Sequence, residues 1–240
     1  LWTGDGGSSR AITLGGENDM QPDLVWSKQR VNTYNHFVWD SARGAGAEKE
    51  LVMNIDNAEG AVDMATYGYM SSFDSNGFSI AAGSSNSDYL NKSSKTYVAW
   101  CWKESTTSGL DIIDYDGSGS NATVSHNLSA VPKTIWVKEY SHSTNWAIYH
   151  QGAGNTNFLK FNSTAGDEDT DNWQDTTPTS SVFSIGSGGQ TNNSGRDYIA
   201  YCFAEKQGYS KFGTYVGTGA NDGPVVWTGF RPAMVIYKRR

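Results

Sequence analysis

The sequence lacks the features that mark several large functional classes. Its only group of basic residues is the terminal Lys238-Arg239-Arg240, and its formal net charge is −7. Nucleic-acid binding needs grouped lysine and arginine side chains that neutralise phosphates, so we expect no nucleic-acid partner. No apolar run approaches the roughly 18 residues needed to cross a bilayer, so we expect no membrane insertion.

Motifs of metal centres and catalytic nucleophiles are also missing. The four histidines form no H-E-x-x-H pattern, and no G-x-S-x-G motif occurs. Asp167, Asp169 and Asp171 have the spacing of a calcium loop, but the positions that need Gly and Glu hold Asn172 and Pro178. We interpret this stretch as a solvated acidic loop, with calcium as the disfavoured alternative. We therefore expect no cofactor and no enzymatic activity.

Cysteine is scarce, and its two positions mark a repeat. Cys101 lies in the run Tyr97–Glu104, and Cys202 lies in the similar run Tyr198–Glu205, about 100 residues later. Both runs are β-branched and aromatic without Pro or Gly, which predicts strands buried on both faces. We expect the two thiols to be unbridged and buried, since free cysteine behaves as a small core residue. A repeat of this length predicts a duplicated domain.

Other motifs recur at a similar distance. Pro22–Lys28, Pro132–Lys138 and Pro232–Lys238 each predict a strand that begins after proline and ends in lysine. Short apolar runs alternate with turns rich in Gly, Ser, Asn and Thr, which predicts an all-β fold of tandem antiparallel β-sandwich repeats, jelly-roll-like and about 100 residues long. We place the repeats at residues 1–108, 109–207 and, incomplete, 208–240.

The incomplete third repeat has a predicted consequence. It would hold two strands that are too apolar to remain exposed, and two strands alone are marginal in water. We expect them to be buried against later residues, the preceding repeat or a neighbouring copy. We also expect the chain to be one segment of a longer protein, and the isolated 240 residues to associate.

Aromatic side chains in predicted loops are candidates for stacking on sugar rings. These candidates are Trp173, Tyr67, Tyr69, Tyr89 and Tyr140. The alternative is that most of them cover the rim of the core. Asp40 and His150 occupy matching positions in the two repeats, and the change from an acid to an imidazole favours a variable surface position.

The combined motifs resemble a repeated domain of unknown function in tail-fibre-like and other virion structural proteins of tailed bacteriophages, many of them marine. The resemblance rests on Tyr/Trp-x-Gly-x-Gly, Pro-x-x-Val/Ile-Trp-x-Lys, Gly-Phe-Ser-Ile, Tyr-Val-Ala-Trp-Cys-Trp-Lys and Tyr-Ile-Ala-Tyr-Cys-Phe-Ala-Glu. It implies a structural or host-attachment role in the virion, outside the cell, and supplies no catalytic residues.

Three functional hypotheses follow. The first is a non-enzymatic virion component, a tail fibre or surface appendage, whose partners are other copies, other virion proteins and host surface glycans. The second is an extracellular carbohydrate-binding module, which a shallow aromatic platform would favour. The third is a fragment of a glycan-degrading enzyme, which would need a cleft with two carboxylates at hydrolase separation.

Overall fold

The computed structural model describes residues 1–166 and 171–239, together with the backbone of residues 168 and 169, and it is almost entirely antiparallel β-sheet. This confirms the predicted all-β class. Among these residues, no helix has the length and apolar character to cross a bilayer. The elements are β1 Trp2–Thr3, β2 Ser9–Thr13, β3 Leu24–Gln29, β4 Phe37–Asp40, β5 Leu51–Val52, α1 Met64–Tyr67, β6 Tyr69–Asp74, β7 Gly77–Ala81, β8 Thr96–Trp102, β9 Leu110–Asp116, β10 Ala122–Ser125, β11 Thr134–Glu139, β12 Ala147–His150, β13 Gly154–Leu159, β14 Glu168–Asp169, a 3₁₀ turn Asp171–Trp173, β15 Val182–Ile185 and β16 Asp197–Phe203.

The strands form a large and a small sheet in each half of the chain. In the first half the large sheet has the order β1-β8-β3-β4-β5, and the small sheet has the order β2-β7-β6. In the second half the large sheet has the order β14-β13-β12-β11-β16-β9, and β10 pairs with β15 in the small sheet. The strands that carry the cysteine motif, β8 and β16, therefore lie inside the large sheets.

The register of these central strands is the same in both halves. Val25 on β3 lies opposite Cys101, and Ile135 on β11 lies opposite Cys202. Leu24 pairs with Trp102 and Thr134 with Phe203, so the match extends along the strand. Each strand begins two residues after its proline, slightly later than the sequence predicts.

Each large sheet packs one face against its own small sheet. In the first half, Phe78 and Ile80 of β7 pack with Val25, Trp39 and Tyr97 of the large sheet. In the second half, the side chains of β10 and β15 pack on β11 and β16 in the same way. These two outer cores make each half a two-layer sandwich.

The other faces of the large sheets pack against each other and form a central core. Trp26 and Trp136 meet with ring centroids 6.4 Å apart, and Trp102 and Phe203 also meet at 6.4 Å. Along β8 the side chains alternate, so that Trp100 and Trp102 enter the central core while Tyr97, Ala99 and Cys101 enter the outer core. The large sheets are therefore covered on both faces, as their apolar sequences predict.

The two cysteines are unbridged, as predicted, but only one is fully buried. Cys202 is 0% exposed, whereas Cys101 is partly exposed. The reason is the neighbouring strand: β9 pairs with β16 over seven residues, but β1 pairs with β8 over two, Trp2 and Thr3. Burial still raises the pKa of the Cys101 thiol to about 12. The prediction of two fully buried thiols is wrong at Cys101.

The predicted strands of the third repeat are not formed in the described residues 208–239. Trp227 is 84% exposed and Tyr237 is 79% exposed, while Phe212 and Met234 pack against the central core. Burial against the preceding repeat, one of the three expected alternatives, is therefore wrong for Trp227 and Tyr237. Within residues 208–239 no strand corresponds to β16, and an isolated pair of strands is marginal in water.

A buried ionic cluster joins the two halves beside the central core. The Arg43 guanidinium lies 2.6 Å from an Asp40 oxygen and 2.8 Å from Glu59, and both the Arg43 and Asp40 side chains are at most 2% exposed. From the second half, the Tyr201 hydroxyl donates to Asp40 at 2.7 Å, and Arg43 lies over the Tyr140 ring. Burial and the charge of Asp40 raise the pKa of Tyr201 well above its usual range, so the phenol remains a donor. Asp40 is thus a buried residue of the ionic cluster between the two halves, and its predicted surface position is wrong.

Replacing Asp40 with Ala should lower the free energy of unfolding by about 3–5 kcal/mol, because Arg43 would lose its principal counter-charge while remaining buried. Tyr201→Phe removes one hydrogen bond to a charged group and should cost about 1.5–3 kcal/mol. Lys49→Ala is the control, because Lys49 is 43% exposed in its pair with Glu59 and should cost about 1 kcal/mol or less. Urea unfolding measures all three. If Asp40→Ala lowered the free energy of unfolding no more than the control does, the buried cluster would not stabilise the contact between the halves.

A buried carboxyl next to this cluster should make stability depend on pH. Glu50 is 0% exposed, its Oε1 accepts from the Val62 amide at 2.9 Å, and burial raises its pKa to about 7. Since its ordinary pKa is 4.5, the unfolded chain ionises first, and stability should fall as pH rises from about 4.5 to 7, by on the order of 2–3 kcal/mol.

Glu50→Gln should remove this component and leave a flatter stability profile over that range. The exposed Glu48→Gln, two residues away, is the matched control and should retain the wild-type slope. Denaturant titrations at half-unit pH steps measure the slope. An unchanged slope in Glu50→Gln would show that Glu50 is not the titrating group.

Candidate functional site

The structure separates the five predicted sugar-stacking residues. Trp173 is 1% exposed and packs against Tyr149 in the second outer core, with ring centroids 5.8 Å apart. Its prediction as a surface residue is wrong, because the 3₁₀ turn directs the ring onto the large sheet. Tyr140 lies beside the buried ionic cluster, where its hydroxyl donates to Asp114 and Arg43 covers its ring. Tyr69 packs partly buried against the first outer core.

The remaining two candidates come together with a third tyrosine. The rings of Tyr67 and Tyr89 have centroids 5.3 Å apart, and Tyr34 meets Tyr89 edge-on, also at 5.3 Å. All three are partly exposed, and Tyr89 also rests on the buried ring of Phe37. We call Tyr34, Tyr67 and Tyr89 the tyrosine patch.

Three separate segments position the tyrosine patch. Tyr67 ends α1, whose Asp63 cap accepts from the Thr66 amide, and the Tyr67 carbonyl accepts from the Tyr89 amide at 3.1 Å. The turn that brings Tyr89 here needs Gly83, because a Cβ there would lie 2.1 Å from the Thr66 carbonyl. The close approach of these two backbone segments therefore fixes the spacing of the rings.

Charged side chains border one edge of the patch. The Tyr34 hydroxyl donates to Asp88 Oδ2 at 3.2 Å, and Lys92 Nζ lies 2.8 Å from Asp88 Oδ1. Burial, followed by the hydrogen bond to Asp88, raises the pKa of Tyr34, and burial likewise raises that of Tyr89. The phenols of Tyr34 and Tyr89 therefore remain neutral at physiological pH. The patch combines aromatic faces with hydroxyl, carboxylate and ammonium groups, which suits a ligand with both apolar and hydroxylated surfaces.

The turn that carries Tyr89 does not itself need a tyrosine. The Tyr97 hydroxyl accepts from the Lys92 amide at 2.9 Å and donates to the Asp88 carbonyl at 3.0 Å. In the second half, the Tyr198 hydroxyl makes the same two bonds, with the Asn193 amide and the Gly189 carbonyl. The residue that follows is Tyr89 in one turn and Gln190 in the other. Tyr89 is thus a local feature of the first half rather than a requirement of the fold.

Two of the three aspartates of the predicted acidic loop have side chains outside the described part of the structure. Asp167 lies outside the described residues, and Asp169 is described only by its backbone in β14. The Asp171 carboxylate accepts from the amide and hydroxyl of Ser187, both at 3.2 Å. Across the described part of the chain, no three His, Cys, Asp or Glu side chains are grouped so that they could hold a metal ion.

Comparisons with known proteins give a family but no activity. A protein-family model matches residues 1–240. No curated protein and no solved structure matches the chain. The family's description mentions neither bacteriophages nor repeats, so both the resemblance to virion proteins and the repeat remain predictions. The chain belongs to the family described as a domain of unknown function, DUF7483.

Proposed function

We propose that this chain is a non-enzymatic structural component of an extracellular assembly, a tail fibre or surface appendage of a virion, with a role in host attachment. It would be built from jelly-roll-like repeats at residues 1–108 and 109–207, with a third beginning at 208–240. The observation that carries this proposal is the common strand order and register of the two halves. Tandem repeats of one domain suit an extended assembly, because each unit can pack on its neighbours.

Hydrogen bonds outside the strands also support the duplication. Asn54 accepts from the His36 amide at 2.8 Å, and its amide group donates to Asn35. In the second half, Asn162 accepts from the Trp146 amide at 3.1 Å and donates to Asn145. A side-chain bridge between loops is not required by sheet formation, so its recurrence favours descent from one unit.

The packing of the sheets favours assembly over catalysis. Both faces of each large sheet are occupied by apolar contacts, which leaves loops and sheet edges for partners. Residues 209–237 expose many large apolar side chains, and exposed patches of this kind mark interaction surfaces. They are Tyr209, Tyr215, Val216, Val225, Val226, Trp227, Val235, Ile236 and Tyr237.

The full chain should therefore associate in solution, increasingly so with concentration. Sedimentation velocity over a hundredfold concentration range measures this. Changing Trp227 and Tyr237 to Ser removes two of the exposed rings and should shift the distribution toward monomer. The matched control changes the similarly exposed Leu1 and Val31 to Ser and should associate as the wild type does. A wild-type chain that stays monomeric at the highest concentration would overturn the assembly role.

Carbohydrate binding is a second candidate function, favoured by the tyrosine patch. Pyranose rings present a C–H face that stacks on aromatic rings and hydroxyls that pair with carboxylate and ammonium groups. Tyr67 and Tyr89 supply rings, and Asp88 and Lys92 supply the polar partners. In the proposed appendage, this patch would contact host surface glycans.

Tyr89→Gln tests this candidate with little risk to the fold, since Gln190 occupies the corresponding turn. A glycan array should identify a ligand for the full chain, and Tyr89→Gln and Tyr67→Ala should each weaken its binding tenfold or more. Tyr215→Ala removes a tyrosine that is 56% exposed elsewhere, so it should bind as the wild type does. Equal binding by all variants would exclude the tyrosine patch as the glycan site.

A further inference from the structure

Along one edge of the contact between the two large sheets, hydrogen bonds link the two halves. There, the end of β5 and the loop that follows it reach into the second half. The Val52 carbonyl accepts from the Trp146 indole at 2.8 Å, and the Asp56 carbonyl accepts from the Thr144 amide at 2.8 Å and from Lys138 at 3.4 Å. Lys138 is 0% exposed as a result. At this edge, groups of the second half are therefore buried against the loop after β5.

The equivalent edge of the first half, which carries Lys28 and His36, lacks these contacts to the other half. Lys28 occupies the place of Lys138 but donates to the carbonyls of Gln29 and Asn32, both in its own segment, and it is partly exposed. His36 replaces Trp146, and burial lowers the pKa of His36, so the neutral ring accepts from the Trp26 indole at 3.1 Å. The His36 ring therefore bonds within the first half, whereas the Trp146 indole bonds across to the other half.

A depression of about 430 Å³ results at this place. Trp26, His36 and Trp100 form one wall, and residues 233–237 form the other. This second wall is part of the third proline motif, Pro232–Lys238. Met234 packs against the central core, and Lys238 donates to the Ala165 carbonyl in the loop after β13. The contact resembles that of Lys138 with the loop after β5.

The segment is seated loosely on its own chain. Val235 is 72% exposed, Ile236 44% and Tyr237 79%, although their counterparts in β11 are buried in the second half. Phe212 packs against the central core and its carbonyl accepts from Gln151, so the chain is held to its own molecule up to this residue. Residues 213–231 contain no helix or strand, and this stretch of about 19 residues reaches up to about 65 Å when extended, which is long enough to cross to another molecule.

We propose that the depression formed by Trp26, His36 and Trp100 is a docking site for Pro232–Lys238 of a second copy of this chain. Each copy carries both the segment and the site, so two copies exchange segments reciprocally and form a closed two-fold contact. Exchange places the apolar residues 234–237 of each copy at an interface between two molecules. The inference rests on the proposed assembly role, and it names the surface that would carry it.

Paramagnetic relaxation between two differently labelled full chains tests the exchange. One sample carries a nitroxide on Val235→Cys in a Cys101→Ser background, and the other is ¹⁵N-labelled without a nitroxide. After mixing and equilibration, the Trp26 and Trp100 indole signals should lose more than half their intensity, and the loss should grow with concentration. Adding Met234→Asp to the nitroxide copy should restore the signals, because Met234 anchors the segment.

Three other results would overturn the exchange. Indole signals that fade only when nitroxide and ¹⁵N share a chain would mean that the segment binds its own molecule. Association in sedimentation without any fading would mean that assembly uses another surface, and this would leave the proposed structural role intact. A monomeric chain in sedimentation would remove both proposals.

Discussion

The apolar contact between the two large sheets is the constraint on which the rest of the structure depends. Each of the strands β8 and β16 must satisfy two cores at once, because one face meets a small sheet and the other meets the opposite large sheet. This explains why neither strand contains a Pro, a Gly or a break in its aromatic pattern. It also explains why the ionic cluster is buried, since Asp40 and Arg43 lie beside the same contact and Tyr201 reaches Asp40 across it.

Where a strand has both faces buried, its sequence alone predicts much of the structure. The all-β class, the central positions of β8 and β16 and the alternation of side chains along β8 all follow from apolar periodicity and side-chain geometry. The strands after Pro22 and Pro132 follow from turn chemistry. These features are local or repeat at a fixed distance, so they need no knowledge of which loops meet in space.

The site was harder to predict because it depends on contacts between distant segments. Tyr67 and Tyr89 are candidates from sequence, but Tyr34 completes the patch from a loop more than thirty residues earlier. Trp173 is a candidate that the structure removes from the surface. Its neighbours in sequence are polar, which predicts an exposed loop, but its ring is buried in the core. The replacement of Asp40 by His150 in the second half favours a surface position, yet the Asp40 carboxylate is the buried partner of Arg43.

Differences between the two halves carry more functional information than their similarities, if the proposed duplication holds. Positions that are alike, such as Asn54 and Asn162, hold loops to the sheets. Positions that differ, such as Tyr89 and His36, cannot be required by the shared framework. Tyr89 completes an aromatic surface where the second half has a glutamine, and His36 leaves a depression where the second half inserts Trp146. These two positions of the first half are therefore the ones on which the proposed glycan contact and the proposed exchange between copies depend.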